Sequence, residues 1–221
     1  MDLPEIEGEP LAAEHRIAIG YMARNLRAPM SVYFALDQRL GRIVAKTTEP
    51  MLGQMRLAWW RDMFANPVAM RPTGDAVLDA IGNHWEGQEE ALSALVDGWE
   101  HMLVEPPLSE SSLLNFANGR IAPMLTLVAP LNEASPTDAG AALRRWALAD
   151  AAANTAQGDE RLLMLRLASS QGSSPKRFAR GFRGFAVLDA LARRSVERGG
   201  RPLMEGRTAA LIALRAGVTG N

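Results

Sequence analysis

The sequence predicts an all-α fold, and three observations carry that reading. Ala, Leu, Arg and Met are abundant and β-branched residues sparse, a composition that favours helix in nearly every long segment. Apolar residues recur at spacings of three and four rather than alternating. Proline, glycine and short polar runs separate those segments, with no convincing strand, internal repeat or low-complexity tract between them. A chain of 221 residues can bury one sizeable core, so the expected architecture is a single domain, residues 1–221, of about eight helices.

From Leu11 to Ala28, Ile17, Tyr21, Met22 and Leu26 keep helical spacing, and Pro29 ends the segment. A second helix spans Ser31 to Ala45, with Val32, Leu36, Leu40 and Ile43 along one face. Glu49-Pro50 opens a third and Asn66-Pro67 closes it. The run PTGDAVLDAIGNHWEG starts a short helix with Thr73 or Asp75 as its cap. Another covers Gln88 to Leu103 and stops before Glu105-Pro106-Pro107. Further helices fit Leu113 to Ala129, Thr137 to Ala168, Pro175 to Glu197 and Arg207 to Ala216.

Composition removes several function classes. Cysteine is absent, which excludes disulfides, thiolate nucleophiles and zinc–cysteine sites. The formal net charge is −1, so no overall basic field draws the chain to nucleic acid. The acidic MDLPEIEGEP start has no apolar core of a secretory signal, and no run is long enough for a membrane-spanning helix. A cytoplasmic protein is the expectation, with peripheral membrane contact left open. His15, His84 and His101 are scattered, and neither a G-x-S-x-G nor a Walker loop occurs.

Two of the five tryptophans stand side by side in EPMLGQMRLAWWRDMF, residues 49–64. Leu52, Met55, Trp59 and Met63 follow one helical face, and Leu57, Trp60 and Phe64 widen it. The favoured reading is a wide buried stripe with arginine stems packed along it. The alternative aims Arg56 or Arg61 into a cavity, paired with an acid or an anionic ligand.

The block P-x-L-G-Q-x-R-L-x-W-W-R-D, preceded by FALDQRLGRIV, resembles the early region of the squalene/phytoene synthases, the head-to-head prenyltransferases. It is most similar to their divergent branch, which includes mitochondrial complex I assembly factors. ALVDGWEHML resembles that family's mid-chain helix, and LRRWALADAAANTAQGDERLLML falls where its second aspartate-rich helix stands. The likeness covers roughly residues 14–216. It implies the isoprenoid synthase fold, helices around a central cavity, and a prenyl-diphosphate site lined by Asn154, Trp59, Trp60, Arg56 and Arg61.

Such enzymes ionise an allylic diphosphate with Mg²⁺ held by two D-x-x-x-D motifs, whose spacing puts both carboxylates on one helical face. Here the first motif falls on DQRLG: Asp37 is present, but position 41 is Gly41. The second falls on NTAQGDE: Asn154 fits, Gly158 stands where an aspartate is expected, and Asp159 is about 100° around a continuous helix. The tyrosine-bearing segment that follows in the family has no counterpart.

The resemblance therefore implies a degenerate, non-catalytic member that binds a prenyl lipid or serves as a protein-assembly factor, with no metal. The alternative is an active, Mg-dependent prenyltransferase that relies on Asp37, Asp159 and Glu160. A third reading is a generic helical interaction domain. The expected geometry brings Asp37 and the Asn154–Glu160 helix to one cavity, buries Trp59, and pairs Asp37 with Arg56 or Arg61.

Two other patterns read as structural. Asp75 and Asp79, in DAVLD, suit a helix N-terminus, and Glu86 and Glu90 an exposed acidic face. In PKRFARGFRGFAVLDALARR, Phe178, Phe182 and Phe185 suit a core face beside an arginine-rich solvent side. The competing reading there is an RNA or headgroup surface.

Overall fold

Ten α-helices and one short 3-10 turn make up the regular structure of the computed structural model, which describes residues 6–129 and 136–221. Among the described residues there is no strand, only two isolated bridges, Ile6–Glu9 and Met22–Phe182. The all-α expectation holds. No helix among them is long and apolar enough to cross a membrane.

The chain groups into two compact units, one of residues 1–11 and 28–126, the other of residues 12–27 and 127–221. The first holds most of α2 (Arg24–Lys46), then α3 (Pro50–Ala65), α4 (Ala76–His84), α5 (Glu89–Glu100) and most of α6 (Glu110–Val128). The second holds α1 (Ala13–Gly20), α7 (Pro136–Asn154), α8 (Gly158–Ser170), α9 (Arg183–Glu197) and α10 (Arg207–Thr219).

Local chemistry explains most of the first unit's boundaries. Pro50 at the first helical position needs no amide partner and opens α3, while Asn66-Pro67 ends it. Asp75 is the cap of α4: its Oδ1 accepts hydrogen bonds from the Val77 and Leu78 amides, each at 3.0 Å. After α3 the chain is tied down by Arg71, whose Nε donates to the Asn66 carbonyl and whose Nη2 donates to Glu89 Oε1 at 2.8 Å. Two glycines let α5 and α6 approach closely. A Cβ on Gly119 would stand 2.5 Å from the Ala94 carbonyl oxygen and 2.7 Å from Gly98 Cα.

In the second unit α7 packs on α8 and α9, and α9 also packs on α1 and α10. Phe178, Phe182 and Phe185 are buried, the latter two stacked 6.2 Å apart, so the core reading of those phenylalanines is correct. Gly184, at the start of α9, packs against Ala18 and Met22 of the α1 end; a Cβ there would lie 2.7 Å from Met22 Cε.

Three expected boundaries are corrected. Pro29 lies inside α2, and the break before that helix falls at residues 21–23, where the Ala23 amide donates to the Gly181 carbonyl at 2.9 Å. A long-range backbone bond there outweighs the local proline signal. Helix α9 starts at Arg183 and not at Pro175, because the chain first closes a turn, the Phe182 amide donating to the Ala179 carbonyl at 2.9 Å, and Phe182 forms an isolated bridge with Met22. The long helix expected from Thr137 to Ala168 is two helices, α7 and α8.

Two outcomes follow for the first unit. Gly119→Ala should destabilise it by about 1–3 kcal/mol, because the added methyl meets backbone that cannot swing aside. With Trp146→Phe as background, the remaining four tryptophans report only on this unit, and urea denaturation reads the loss. The second outcome concerns acid. Burial pushes the Glu89 carboxyl up, but the Arg71 hydrogen bond and nearby amides outweigh it and hold the pKa below the usual range. A depressed folded pKa contributes stability above the ordinary carboxylate range and loses it as pH falls through the depressed value. Arg71→Met should therefore be less stable than wild type at neutral pH, and the gap should narrow on acidification.

Candidate functional site

Asp37 sits on α2 one turn after Tyr33, on the face that buries Tyr33 and Leu40. Its carboxylate is fully engaged. Oδ1 accepts from Trp99 Nε1 at 2.9 Å and from Arg120 Nε at 3.0 Å, and Oδ2 accepts from Arg120 Nη2 at 2.8 Å. The Tyr33 hydroxyl donates to the Arg120 carbonyl at 2.8 Å. The guanidinium also lies over the Trp99 and Phe116 rings, 5.4 and 5.7 Å from their centroids. Asp37 is 1% exposed and Arg120 3%.

Three glycines build this arrangement. Gly98 and Gly119 bring α5 and α6 together, and the next residues in sequence, Trp99 and Arg120, are the two partners of Asp37. Gly41, one turn beyond Asp37, leaves room for the Trp99 ring; a Cβ at 41 would already be 3.0 Å from Trp99 Cη2. Where the D-x-x-x-D pattern would place its second carboxylate, an indole packs instead.

This donor set does not fit Mg²⁺. The ion takes near-octahedral oxygen ligands, whereas both oxygens of Asp37 are turned to N–H donors, one of them cationic. Among the described residues no three His, Cys, Asp or Glu side chains are grouped so that they could hold a metal.

The tryptophan helix departs from the expected orientation. Leu57, Trp60 and Phe64 are buried, whereas Met51, Leu52, Met55 and Trp59 are exposed, Trp59 by 38%. The two neighbouring indoles meet edge to face at 5.0 Å on opposite sides of the boundary. The 3–4 pattern contained two apolar stripes, and packing against α5 selects the one through Gly53, Leu57 and Trp60. Gly53 leaves room for Leu103, whose Cδ atoms would lie 2.8 Å from a Cβ there.

Neither α3 arginine pairs with Asp37. Arg56 is exposed. Arg61 is partly buried and donates from Nε to Asp97 Oδ1 at 2.5 Å and from Nη2 to Glu100, both on α5. Partial burial pulls its pKa down, but the two carboxylates more than offset this, and the net shift is upward. An arginine–carboxylate pair does exist on α3, with another acid than the one expected.

The 154–160 segment is also corrected. Asn154 ends α7, exposed, with its Nδ2 donating to the Asp150 carbonyl at 2.8 Å. Gln157 is extended, Gly158 starts α8, and Arg161 Nη2 donates back to the Thr155 carbonyl. Asn154 and Asp159 are therefore on different helices, and their register on one wheel has no meaning. Asp159 is exposed in the first turn of α8, where an acid suits the helix dipole, and Glu160 is buried beside it. Asp37 belongs to the first unit and Asn154, Asp159 and Glu160 to the second.

The DAVLD acids are structural: Asp75 caps α4 and accepts from Arg39 Nη1 at 2.5 and 2.7 Å, and Asp79 accepts from the Gly74 amide at 3.0 Å. Partial burial lowers the Arg39 pKa, and its bonds to Glu9 and Asp75 reverse that into a net rise. Glu86 and Glu90 are exposed.

The sequence reading missed Arg120, and it missed a second buried pair, Arg145–Asp189, in the other unit. Arg145 Nη1 donates to Asp189 Oδ1 at 2.5 Å and its Nη2 to the Gln171 and Gly172 carbonyls, while Ser174 Oγ donates to Asp189 Oδ2 at 2.6 Å. Each of these residues is a charge set into an otherwise apolar run, GRIAPML, LRRWALA or FAVLDALA, which is the signal that marks them.

No protein-family model matches the chain, and neither a curated protein nor a solved structure matches it significantly.

Removing one member of the Asp37 pair leaves a buried charge without its partner. Asp37→Ala should destabilise the first unit by about 3–5 kcal/mol, whereas Asp37→Leu combined with Arg120→Met should recover most of the loss. Denaturation in the Trp146→Phe background reads both. Additive losses in the double variant would show that the pair is not the source of the effect.

Proposed function

We propose that this chain is a non-catalytic helical scaffold of the squalene/phytoene synthase type whose role is to bind a partner protein. The observation that carries the non-catalytic part is the state of Asp37. Of the D-x-x-x-D pattern at 37–41 it is the only acid, and Arg120 and Trp99 occupy it. To hold a metal it would have to abandon a buried cation, leaving Arg120 uncompensated in a low-dielectric interior.

Partner binding is supported by the outward face of α3. Met51, Leu52, Met55 and Trp59 are 72%, 47%, 65% and 38% exposed and fall on one side of the helix. Met and Trp are enriched at protein interfaces, the first because it repacks to fit and the second because it buries a large area. A groove or another helix would meet these side chains at i, i+1, i+4 and i+8 counted from Met51.

Purified protein incubated with farnesyl or geranylgeranyl diphosphate and Mg²⁺ or Mn²⁺ should release no pyrophosphate and form no condensed hydrocarbon. Turnover that vanishes in Asp37→Ala would overturn the reading. For the binding half, a photo-crosslinking residue at position 55 should yield a discrete heteromeric adduct in the native host. That adduct should disappear with Leu52→Glu/Trp59→Ser, with the thermal unfolding of the protein unchanged. Recovery of a prenyl lipid in place of a protein would instead make the chain a lipid carrier.

A further inference from the structure

The second unit contains an open cleft of about 700 Å³ whose charged lining consists of Arg24, Arg27, Arg180 and Arg183, with no Asp or Glu. We infer that this cleft is a binding site for a phosphate-bearing anion. It shares no residue with the Asp37 cluster and stands independently of the scaffold reading above.

The arginines divide into two kinds. Arg27 and Arg183 are held by helix ends: Arg27 donates to the Met22 and Gly20 carbonyls at 3.1 and 3.2 Å, and Arg183 Nη1 to the Val218 carbonyl at 2.6 Å. These bonds satisfy the C-termini of α1 and α10 and account for both residues structurally. They also leave Arg183 Nε buried without a hydrogen-bond partner. Arg24 and Arg180 are exposed and, among the described residues, form no ion pair, so nothing in the fold calls for them.

Helix electrostatics sharpens the point. Arg24 is the first residue of α2 and Arg183 the first of α9, and neither helix has an acid in its first turn. The N-terminus of a helix carries about +0.5 elementary charge, and an acid there is worth roughly 0.3–1 kcal/mol. Placing arginine at both starts inverts that preference. Phe182, which precedes α9, gives that helix no side-chain cap. The starts of α2 and α9 and the ends of α1 and α10 all reach the cleft, so the helix dipoles offset one another there, and the four guanidinium groups are left with no carboxylate in the lining.

An anion resolves the conflict. Phosphate oxygens take bidentate bonds from arginine forks. Sulfate-sized charge alone would leave most of the cleft empty, and Val218, exposed at its rim, suits the apolar portion of a phosphate ester. A soluble phosphoester and a lipid phosphate headgroup present the same chemistry.

The test uses the full chain. Calorimetric titration with inorganic pyrophosphate and flotation with phosphatidylcholine vesicles, with and without phosphatidic acid, probe the two sources. Wild type should bind at least one of them, and Arg24→Gln/Arg180→Gln should weaken that binding about tenfold or more. Because both arginines are exposed and form no ion pair among the described residues, the unfolding curve should not move towards lower stability. Arg16→Gln/Arg56→Gln, two exposed arginines that do not line the cleft, serves as control and should shift affinity less than about twofold. Loss with pyrophosphate supports a soluble phosphoester; loss only with phosphatidic acid vesicles supports a headgroup. Failure to bind either probe, or an equal loss in the control pair, would overturn the inference.

Discussion

The first unit is organised around one buried ion pair. Asp37 and Arg120 are both removed from water, and such a pair persists only when nearly every lone pair and proton finds a partner. Here the indole of Trp99 takes one remaining carboxylate site, and two aromatic rings flank the guanidinium. Because the partners come from α2, α5 and α6, the pair fixes how three helices meet. The glycines at 98 and 119 support the same arrangement, since a methyl group at either would press on the backbone of the facing helix beside Trp99 and Arg120.

The second unit repeats the strategy with other parts. Asp189 on α9 binds Arg145 on α7, and Arg145 in turn holds the 171–172 carbonyls between α8 and α9. Arg193 and Ser174 complete the carboxylate. In both units a buried acid is used to orient backbone and helices. The chemistry left available lies on the surface, in the α3 stripe and the arginine cleft.

Helix content, the cap at Asp75, the Pro50 start and the phenylalanine core were legible because each depends on neighbours a few residues away. What local pattern could not resolve was the choice between equivalents. Methionine, leucine and tryptophan cover both sides of α3, so periodicity alone could not say that Trp60 faces inward and Trp59 outward. The gap between α7 and α8 is hidden because Thr155, Ala156 and Gln157 include no proline, and Gly158, which marks a helix start, coincides with the place where an aspartate is expected. The partner of Asp37 lay 83 residues away, beyond any spacing rule.

Gly41 has a consequence for reversibility. The Trp99 ring stands at the position a side chain on residue 41 would enter, and the same ring hydrogen-bonds Asp37. A carboxylate introduced there would crowd the indole from 3.0 Å and bring a second negative charge one turn from Asp37. Only a chain that also replaced Trp99 and Arg120 could present two free acids on this face of α2. The packing that joins α2, α5 and α6 therefore also keeps a second acid off this face of α2.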